Sequence, residues 1–307
     1  MHFNGTSKGI LVFTRLPGSD QAAGGQGQTR LRRGCKRSVT GGKPMTDSYY
    51  EHLFGVKDKV VLVTGGTRGI GYMIAEGFVR CGATVYIASR KPEACQEAEQ
   101  ALSKHGNCIA IPSDISDITG CEKLADEIKN REAKLDVLIN NAGVTWSEDI
   151  DRFSEKAWDK IVDLDGKSPF FLTQKLLPLL DAAASQASRA IVINVSSVNG
   201  IRPSSLRNYS YAFAKAGLQQ LSVQMAQDLN ERNINVNVIA PGPFKSKMTA
   251  PLYADEKVEA EVMQGFTMGR WGATEDAAGL AIFLSSKAGS FLTGLIVPCD
   301  GGSTAIG

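Results

Sequence analysis

A strand that runs directly into a glycine-rich loop and a helix is the feature that most constrains this fold. The segment 60–71 reads Val-Val-Leu-Val-Thr-Gly-Gly-Thr-Arg-Gly-Ile-Gly, and 72–79 is predicted to form the first turns of a helix. Glycines permit a tight turn and the close approach of a ligand, because no Cβ is in the way. Free N–H groups of the loop and the helix N-terminus stabilise a bound phosphate. The segment therefore predicts a phosphate-binding turn.

The glycine spacing alone is a weak signal. Gly65-x-x-x-Gly69-x-Gly71 is one residue wider between its first two glycines than the G-x-G-x-x-G pattern of dinucleotide-binding loops. A loop of this kind can also be only a tight turn. The sequence that follows favours the binding role, because 82–88 is predicted to form a second strand that completes a βαβ unit.

Predicted helices and short apolar strands alternate along the rest of the chain. The predicted helices cover 92–105, 119–131, 158–180, 211–229 and 275–284, and the predicted strands cover 108–112, 137–139, 189–195, 234–239 and 295–297. The helix 158–180 should be interrupted or kinked near Pro169. Such alternation is typical of a parallel sheet covered by helices on both faces. We expect an α/β fold with a single doubly wound (Rossmann) sheet over residues 47–307, and ligands beyond the carboxyl ends of its strands.

The excess of basic residues is confined to the first 44 residues. Residues 1–44 hold eight basic residues and one acid, whereas the rest of the chain holds 26 basic and 31 acidic residues. This segment is rich in Gly, Ser and Thr without helical or strand periodicity, so we expect a disordered basic extension over residues 1–46. Two other interpretations stay open, a mitochondrial transit peptide and a functional chain that begins at Met45. We expect a cytoplasmic protein, or a mitochondrial one if residues 1–44 act as a transit peptide.

Composition disfavours several kinds of partner. The net charge of +2 does not favour nucleic acid, and no uninterrupted apolar run approaches the ~18 residues of a membrane span. The six cysteines contain no C-x-x-C pair, and the three histidines form no cluster with them. We therefore expect free thiols in a reducing compartment and no metal site.

Polar or turn-forming residues directly follow four of the predicted strands. They are Asp114-Ile115, Asn140-Asn141-Ala142-Gly143, Ser196-Ser197 and Pro241-Gly242-Pro243. Each group alone can be ordinary turn chemistry. Because the carboxyl ends of parallel strands meet at one edge of a sheet, their recurrence predicts a single site there.

Tyr211 and Lys215 are the residues best suited to acid–base chemistry. At a spacing of four residues they share one helix face, so the ammonium can lie near the phenol. A free phenol has a pKa of about 10, and a nearby positive charge lowers that value. Tyr211 can then donate a proton to a developing alkoxide, or remove one in reverse, while Ser197 hydrogen-bonds the same oxygen. Taken alone, a Tyr-x-x-x-Lys pair is also typical of a helix surface.

In order and spacing, these motifs resemble those of the short-chain dehydrogenase/reductase family over roughly residues 54–307. The shared motifs are Thr64-Gly65-x-x-x-Gly69-x-Gly71, Asn140-Asn141-Ala142-Gly143, Ser197, Tyr211-x-x-x-Lys215 and Pro241-Gly242. Within the family, the chain is similar to NADPH-dependent 3-oxoacyl-acyl-carrier-protein reductases of the type associated with rhamnolipid precursors. That similarity depends on Ala88-Ser89-Arg90, on 234–242 and 268–272, and on Asp300-Gly301-Gly302.

The resemblance implies an active site of Ser197, Tyr211 and Lys215, with Tyr211 as the acid/base and Lys215 holding both Tyr211 and the nicotinamide ribose. It also implies a supporting Asn, but Asp165 stands at that position. The charge of Asp165 near Lys215 would alter the balance of pKa values. Ser246 stands where many relatives have Thr, which keeps a hydroxyl for the cofactor.

The implied cofactor is NADPH/NADP. Besides Tyr211 and Lys215, the residues expected to bind it are Gly65, Thr67, Arg68, Gly69, Ile70, Gly71, Ser89, Arg90, Asp114, Ile115, Asn141, Ala142, Gly143, Pro241, Gly242, Phe244 and Ser246. NAD enzymes place an acid after the second strand to accept from the ribose 2′-OH, whereas 88–91 reads Ala-Ser-Arg-Lys. Arg90 and Ser89 can bond a 2′-phosphate, and Arg68 can share its charge. Alternatively, the two basic residues only begin a solvated helix.

These features predict an oxidoreductase that reduces a 3-oxoacyl thioester to a 3-hydroxyacyl thioester with NADPH. Two alternatives stay open: a reductase for another carbonyl, such as a sugar or secondary metabolite, and a non-catalytic dinucleotide-binding protein. The resemblance also implies a homodimer or homotetramer, with 158–180 and 211–229 at one interface and the last strand at another. The segment 244–271 should line the substrate pocket and carries no readable substrate code.

Overall fold

One parallel β-sheet organises the part of the chain that the structure describes. The computed structural model describes residues 45–204 and 206–305, beginning with helix α1 (Met45–Phe54). The expectations for residues 1–44 lie outside the described residues and stay predictions. The last two residues of the disordered extension expected over 1–46 belong instead to the first turn of α1. No helix in the described ranges combines the length and hydropathy that a bilayer crossing requires. The five cysteines within these ranges form no disulfide.

Strands and helices alternate along the chain as the sequence predicts. The strands are β1 (Val60–Thr64), β2 (Thr84–Ser89), β3 (Cys108–Pro112), β4 (Val137–Asn140), β5 (Ala190–Val195), β6 (Ile234–Pro241) and β7 (Ile296–Cys299). The helices after α1 are α2 (Gly69–Arg80), α3 (Pro92–Leu102), α4 (Ile118–Arg131), α5 (Glu155–Val162), α6 (Ser168–Ala183), α7 (Tyr209–Leu229), α8 (Glu256–Gln264) and α9 (Thr274–Ser285). The strand order is β3-β2-β1-β4-β5-β6-β7, and all of these pairings are parallel. The predicted doubly wound fold is confirmed.

Apolar side chains are buried on both faces of the sheet. Val61 and Val63 of β1 belong to one core cluster together with Phe78 of α2. Leu62, between them in sequence, belongs to a second cluster together with Leu124 of α4. Because neither face is solvated, β1, β5 and β6 contain no exposed residue, which accounts for their almost continuous apolar sequence.

The helical segment after β4 has the interruption that the sequence predicts near Pro169 within 158–180. It consists of α5, a π-helical turn over Asp163–Lys167, and α6. The interruption thus begins before Pro169, which lies in the first turn of α6, where a missing N–H costs no helical hydrogen bond. Helices α1 and α8 are not predicted from the sequence. Helix α8 has only nine residues and none is buried, so it lacks the apolar stripe that marks a packed helix.

Thr64 connects the carboxyl ends of β1 and β4, the neighbouring strands at which the strand order reverses. Its buried hydroxyl oxygen accepts from the backbone N–H groups of Asn141 and Ala142, each at 3.0 Å. The Asn141 side-chain amide donates to the carbonyl oxygens of Thr64 at 2.9 Å and Gly65 at 3.3 Å. These bonds hold the loop after β4 against the glycine loop, at the point where ligands bind in doubly wound sheets.

Replacing Thr64 with Val should lower the free energy of unfolding by about 1–3 kcal/mol, because two backbone N–H groups lose their acceptor while the side-chain volume is kept. Thr64→Ser is the matched control, since it retains the hydroxyl and should therefore lower the free energy of unfolding by less than Thr64→Val does. Urea denaturation of the two variants measures the difference. Equal stability of the Val variant and the wild type would contradict the role of Thr64 in joining the two strands.

Candidate active site

Tyr211 and Lys215 lie in the first turns of α7, on its buried side. Tyr211 is 8% exposed and Lys215 is 3% exposed. The Lys215 Nζ atom lies 5.5 Å from the centroid of the Tyr211 ring and donates to the carbonyl oxygen of Val195 at 3.0 Å. The spacing of four residues thus brings the ammonium beside the phenol, away from the helix surface.

Asp165 supplies the charge opposite Lys215. It lies in the π-helical turn between α5 and α6 and is fully buried. One carboxylate oxygen, Oδ1, accepts from the backbone N–H of Val144 at 2.9 Å. The other, Oδ2, lies 3.2 Å from Lys215 Nζ without hydrogen-bond geometry, so the contact is an ion pair. Gly143 makes room for this pair, because a Cβ there would lie 2.6 Å from Oδ2 and 3.4 Å from Nζ.

The pKa values of these three groups depend on one another. Burial raises the pKa of Tyr211; Lys215 opposes that shift, and Asp165 adds to it. Burial also raises the pKa of Asp165, against the influence of Lys215 and the Val144 N–H. For Lys215, burial acts to lower the pKa, but Asp165 and Tyr211 outweigh it and the pKa is raised. The prediction that Lys215 lowers the pKa of Tyr211 below its ordinary value is therefore wrong here, because burial and Asp165 act in the opposite direction.

Ser197 follows β5 and is held against α7 by a residue that the sequence analysis does not identify. The side-chain amide of Gln219 donates to Ser196 Oγ at 3.0 Å and to the carbonyl oxygen of Ser197 at 3.1 Å. Ser196 Oγ in turn donates to the Lys215 carbonyl at 2.9 Å. A hydrogen bond to Ser197 acts to lower the pKa of Tyr211. The available signal is the spacing of Tyr211, Lys215 and Gln219, which places all three on one helix face.

A buried chain of side-chain hydrogen bonds fixes α7 to the sheet. Asn140 Nδ2 donates to Asn194 Oδ1 at 2.8 Å, and Asn194 Nδ2 donates to Ser222 Oγ at 2.8 Å. All three residues are buried. Because β4, β5 and α7 each contribute one member, the chain restricts where Tyr211 and Lys215 lie relative to the strand ends. Asparagines inside apolar strands are the sequence signal for such a network.

The glycine loop has the shape of a phosphate-binding cradle. Gly65 and Gly69 adopt left-handed backbone conformations with φ of 66° and 57°. A Cβ on Gly71 would lie 2.3 Å from Asn141 Nδ2, so only glycine fits there. Helix α2 begins after the extended residue Arg68 without a side-chain cap, so its first N–H groups can bind an anion. The two other predicted loop residues, Thr67 and Ile70, are half-buried within this turn.

The end of β2 lies beside this cradle and carries positive charge. Gly65 N–H donates to the carbonyl oxygen of Ala88 at 2.7 Å, which places the loop next to Ser89 and Arg90. Ser89 is half-buried, and the side chains of Arg90 and Arg68 are exposed. Within the described part of the chain, neither guanidinium has an ion-pair partner. A second phosphate group therefore fits at this position.

The remaining predicted cofactor residues follow other strands at the same edge. Asp114 and the buried Ile115 follow β3, and Ala142 and Gly143 follow β4. In helix α4, Gly120 lies so close to Asp114 that an added Cβ would be 1.7 Å from its carbonyl oxygen. The loop after β3 is thus packed tightly against α4.

The loop after β6 reaches the glycine cradle. Pro241 ends β6, and the Gly242 N–H donates to the Cys299 carbonyl at 3.0 Å. Ser246 lies against the cradle, since a Cβ on Gly69 would be 3.4 Å from the Ser246 Cβ. The structure thus brings the predicted cofactor residues of five strands to one edge of the sheet.

The segment 244–271, predicted to line the pocket, is closed at its base and tied to α8. Phe244 is buried and pairs with Gly272, whose N–H donates to the Pro243 carbonyl at 2.8 Å. Lys245 forms an ion pair with Glu259 of α8 at 2.7 Å. Trp271 Nε1 donates to the same Glu259 carboxylate at 2.7 Å. These contacts fix α8 to both ends of the segment.

Comparisons with known proteins match the part of the chain that contains this candidate site. The family described as enoyl-(acyl carrier protein) reductase matches residues 65–304. A 3-oxoacyl-[acyl-carrier-protein] reductase of rhamnolipids biosynthesis from Pseudomonas aeruginosa is 43% identical over 249 residues, which cover 81% of this chain and 97% of that protein. A 2-dehydro-3-deoxy-D-gluconate 5-dehydrogenase from Escherichia coli is 32% identical over 249 residues, 81% of this chain and 96% of that protein.

The fold is also similar to that of a solved structure. Pseudomonas aeruginosa RhlG, in an active-site complex with NADP, superposes with a TM-score of 0.80 at 42% identity, over 82% of this chain and 98% of that chain. The family match extends from Gly65 past Ser197, Tyr211 and Lys215, and so includes the predicted catalytic motifs. The chain belongs to the short-chain dehydrogenase/reductase family.

Proposed function

We propose that this chain reduces the ketone of a 3-oxoacyl thioester to a 3-hydroxyacyl thioester with NADPH. The observation that carries the proposal is the convergence of Ser197, Tyr211 and Lys215 beside the glycine cradle at one edge of the sheet. A proton donor, a hydroxyl and a fixed cation are the groups that reduction of a carbonyl requires. The acyl substrate is supported by the 43% identical relative, which is named as a 3-oxoacyl-[acyl-carrier-protein] reductase.

The residues present fit NADP(H). The cradle and the uncapped N-terminus of α2 suit a pyrophosphate, and Arg90 and Arg68 suit a 2′-phosphate through charge-assisted hydrogen bonds. Lys215 would hold the nicotinamide ribose as well as Tyr211, the role that the family resemblance implies for it. When bound, NADPH supplies the hydride that reduces the carbonyl carbon.

The chain's own side chains hold the carbonyl oxygen and provide its proton. Tyr211 keeps its proton at neutral pH, because its pKa is raised by burial and by Asp165, and can donate it to the developing alkoxide. The Ser197 hydroxyl donates a hydrogen bond to the same oxygen. The Lys215 ammonium, 5.5 Å from the ring centroid, stabilises the phenolate that remains.

Replacing Tyr211 with Phe should reduce kcat by about 10²–10⁴-fold and leave the affinity for NADPH nearly unchanged, because the ring stays and the proton donor is lost. Tyr209→Phe is the matched control: Tyr209 is two residues away on the exposed side of α7, and it should retain activity. NADPH oxidation with acetoacetyl thioester, and with a panel of ketones and sugar acids, measures both variants. A Tyr211→Phe variant that keeps more than about a tenth of wild-type kcat would show that Tyr211 is not the acid. If the wild type turned over a sugar acid and no acyl thioester, the sugar acid would replace the acyl thioester as the proposed substrate.

Cofactor choice gives a second prediction. Arg90→Asp should raise KM for NADPH far more than KM for NADH, because repulsion replaces attraction only where the 2′-phosphate exists. Lys104→Asp is the control: it makes the same change of charge on the turn before β3, at the opposite end of the strands, and should affect neither cofactor. Steady-state kinetics with both cofactors tests this. A wild-type preference for NADH, or equal increases in the two KM values, would refute the assignment.

We also infer a homodimer or homotetramer from apolar side chains that one subunit leaves exposed. Phe213 of α7 is 58% exposed and packs on Trp158 of α5, with ring centroids 5.4 Å apart. Phe291, before the edge strand β7, is fully exposed. Contiguous exposed apolar surface, such as that formed by Phe213 and Trp158, is typical of contacts between protein subunits.

Light scattering tests the assembly. The expected mass is at least twice the 32.8 kDa of one chain, and Phe213→Glu should shift the protein toward smaller species, because a charge would be buried at the α5–α7 surface. A mass of one chain for the wild type at working concentration would overturn the inference.

A further inference from the structure

The direct ion pair between Asp165 and Lys215 is a feature that the proposed reaction does not by itself require. Lys215 is held in place without it by the Val195 carbonyl, which accepts from Nζ at 3.0 Å. The carboxylate nevertheless lies 3.2 Å from the ammonium at a position shielded from bulk solvent, since Asp165 is 0% exposed. A buried carboxylate is costly unless it is paired, so its presence beside the active site calls for a role.

Two separate parts of the chain, the π-helical turn and the loop after β4, build the site around this carboxylate. The π-helical turn Asp163–Lys167 directs Asp165 inward from between two α-helices, and such turns are frequent at functional sites. The Val144 N–H bonds its Oδ1 atom, which fixes the orientation of the carboxylate. Gly143 leaves the space that Oδ2 and the ammonium occupy, since a Cβ would lie 2.6 Å from Oδ2.

The titratable groups that act on this pair are few. Asp165 and Tyr211 act on Lys215, and Asp165 and Lys215 act on Tyr211. On the same π-helical turn, Asp163 and Lys167 pair with each other at 3.2 Å near the surface. The charged residues of α5, which packs on α7, are exposed; they are Glu155, Lys156, Asp159 and Lys160. Strands β5 and β6 contain no ionisable side chain.

We propose that Asp165 is a positioning residue that fixes the Lys215 ammonium through a direct, buried ion pair and thereby keeps Tyr211 a proton donor, which suits the site to carbonyl reduction. This inference rests on the proposed function. The negative charge of Asp165 balances the positive charge of the Lys215 ammonium in the ground state. The Tyr211 phenol therefore does not have to ionise to provide that balancing charge. It also opposes a second negative charge on Tyr211.

The consequence appears in the pH dependence of both directions of the reaction. Reduction needs protonated Tyr211, so its rate falls as pH rises through the pKa of that group. Alcohol oxidation needs the phenolate, so its rate rises through the same pKa. Burial and the charge of Asp165 raise this pKa. Reduction should therefore continue into the alkaline pH range, and alcohol oxidation should occur only in that range.

Asp165→Asn is the direct test, because it removes the charge and keeps an oxygen that can accept from Val144. The alkaline limb of kcat/KM for reduction with NADPH should move to lower pH by about one unit or more, and the acid limb for oxidation should move in the same direction. Asp165→Glu retains a carboxylate and should keep the wild-type limbs even if turnover falls. Superimposable pH profiles for the wild type and Asp165→Asn would overturn the proposal.

A measurement without substrate separates this inference from the proposed function. The absorbance of the Tyr211 phenolate is obtained from the wild type minus Tyr211→Phe across an alkaline titration, and it should appear above the pKa of a free phenol, about 10. A difference signal below that value would overturn the proposal even if the Asp165 variants fail to fold. If the wild type turns over no carbonyl, the proposed function fails, while the same titration in the Asp165→Asn background, where the phenolate should appear at lower pH than in the wild type, still decides the role of Asp165.

Discussion

The buried ammonium of Lys215 is the group on which the arrangement of the site depends. An ionised side chain removed from water costs several kcal/mol, so it needs a partner of opposite charge and a fixed hydrogen-bond acceptor. Asp165 and the Val195 carbonyl provide these. Each partner has its own structural requirement: Asp165 depends on the π-helical turn and on Gly143, and the carbonyl depends on the end of β5. The position of one cation therefore constrains several separate segments of the chain.

The parallel sheet explains why these segments meet at one place. In this topology every strand ends at the same edge, so residues far apart in sequence become neighbours there. Thr64 and Asn141 join the ends of β1 and β4, and the chain of Asn140, Asn194 and Ser222 joins β4, β5 and α7. The glycine loop and helix α7, which contains Tyr211, are thus parts of one hydrogen-bonded unit, which keeps the groups of the proposed site at fixed distances.

Local patterns predicted much of this structure, and tertiary contacts account for the rest. The glycine loop, the alternating strands and the spacing of Tyr211 and Lys215 can be read from short segments, because each depends on residues close in sequence. Gln219 was missed because its role depends on the loop after β5, which lies more than 20 residues away. The expected lowering of the Tyr211 pKa was wrong because burial outweighs a favourable charge, and spacing contains no information on burial. The π-helical turn has no sequence pattern of its own beyond its position before Pro169.

A double-mutant cycle on stability tests the buried ion pair most directly. Asp165→Asn and Lys215→Met each leave one buried charge without its partner, and each should lower the free energy of unfolding, by up to about 3–5 kcal/mol. The double variant has neither charge and should be at least as stable as the less stable single variant. Its loss of stability should therefore be well below the sum of the losses of the two single variants. Urea denaturation at neutral pH gives all four values. Additive losses would contradict the account, because they would show that the two charges do not stabilise each other.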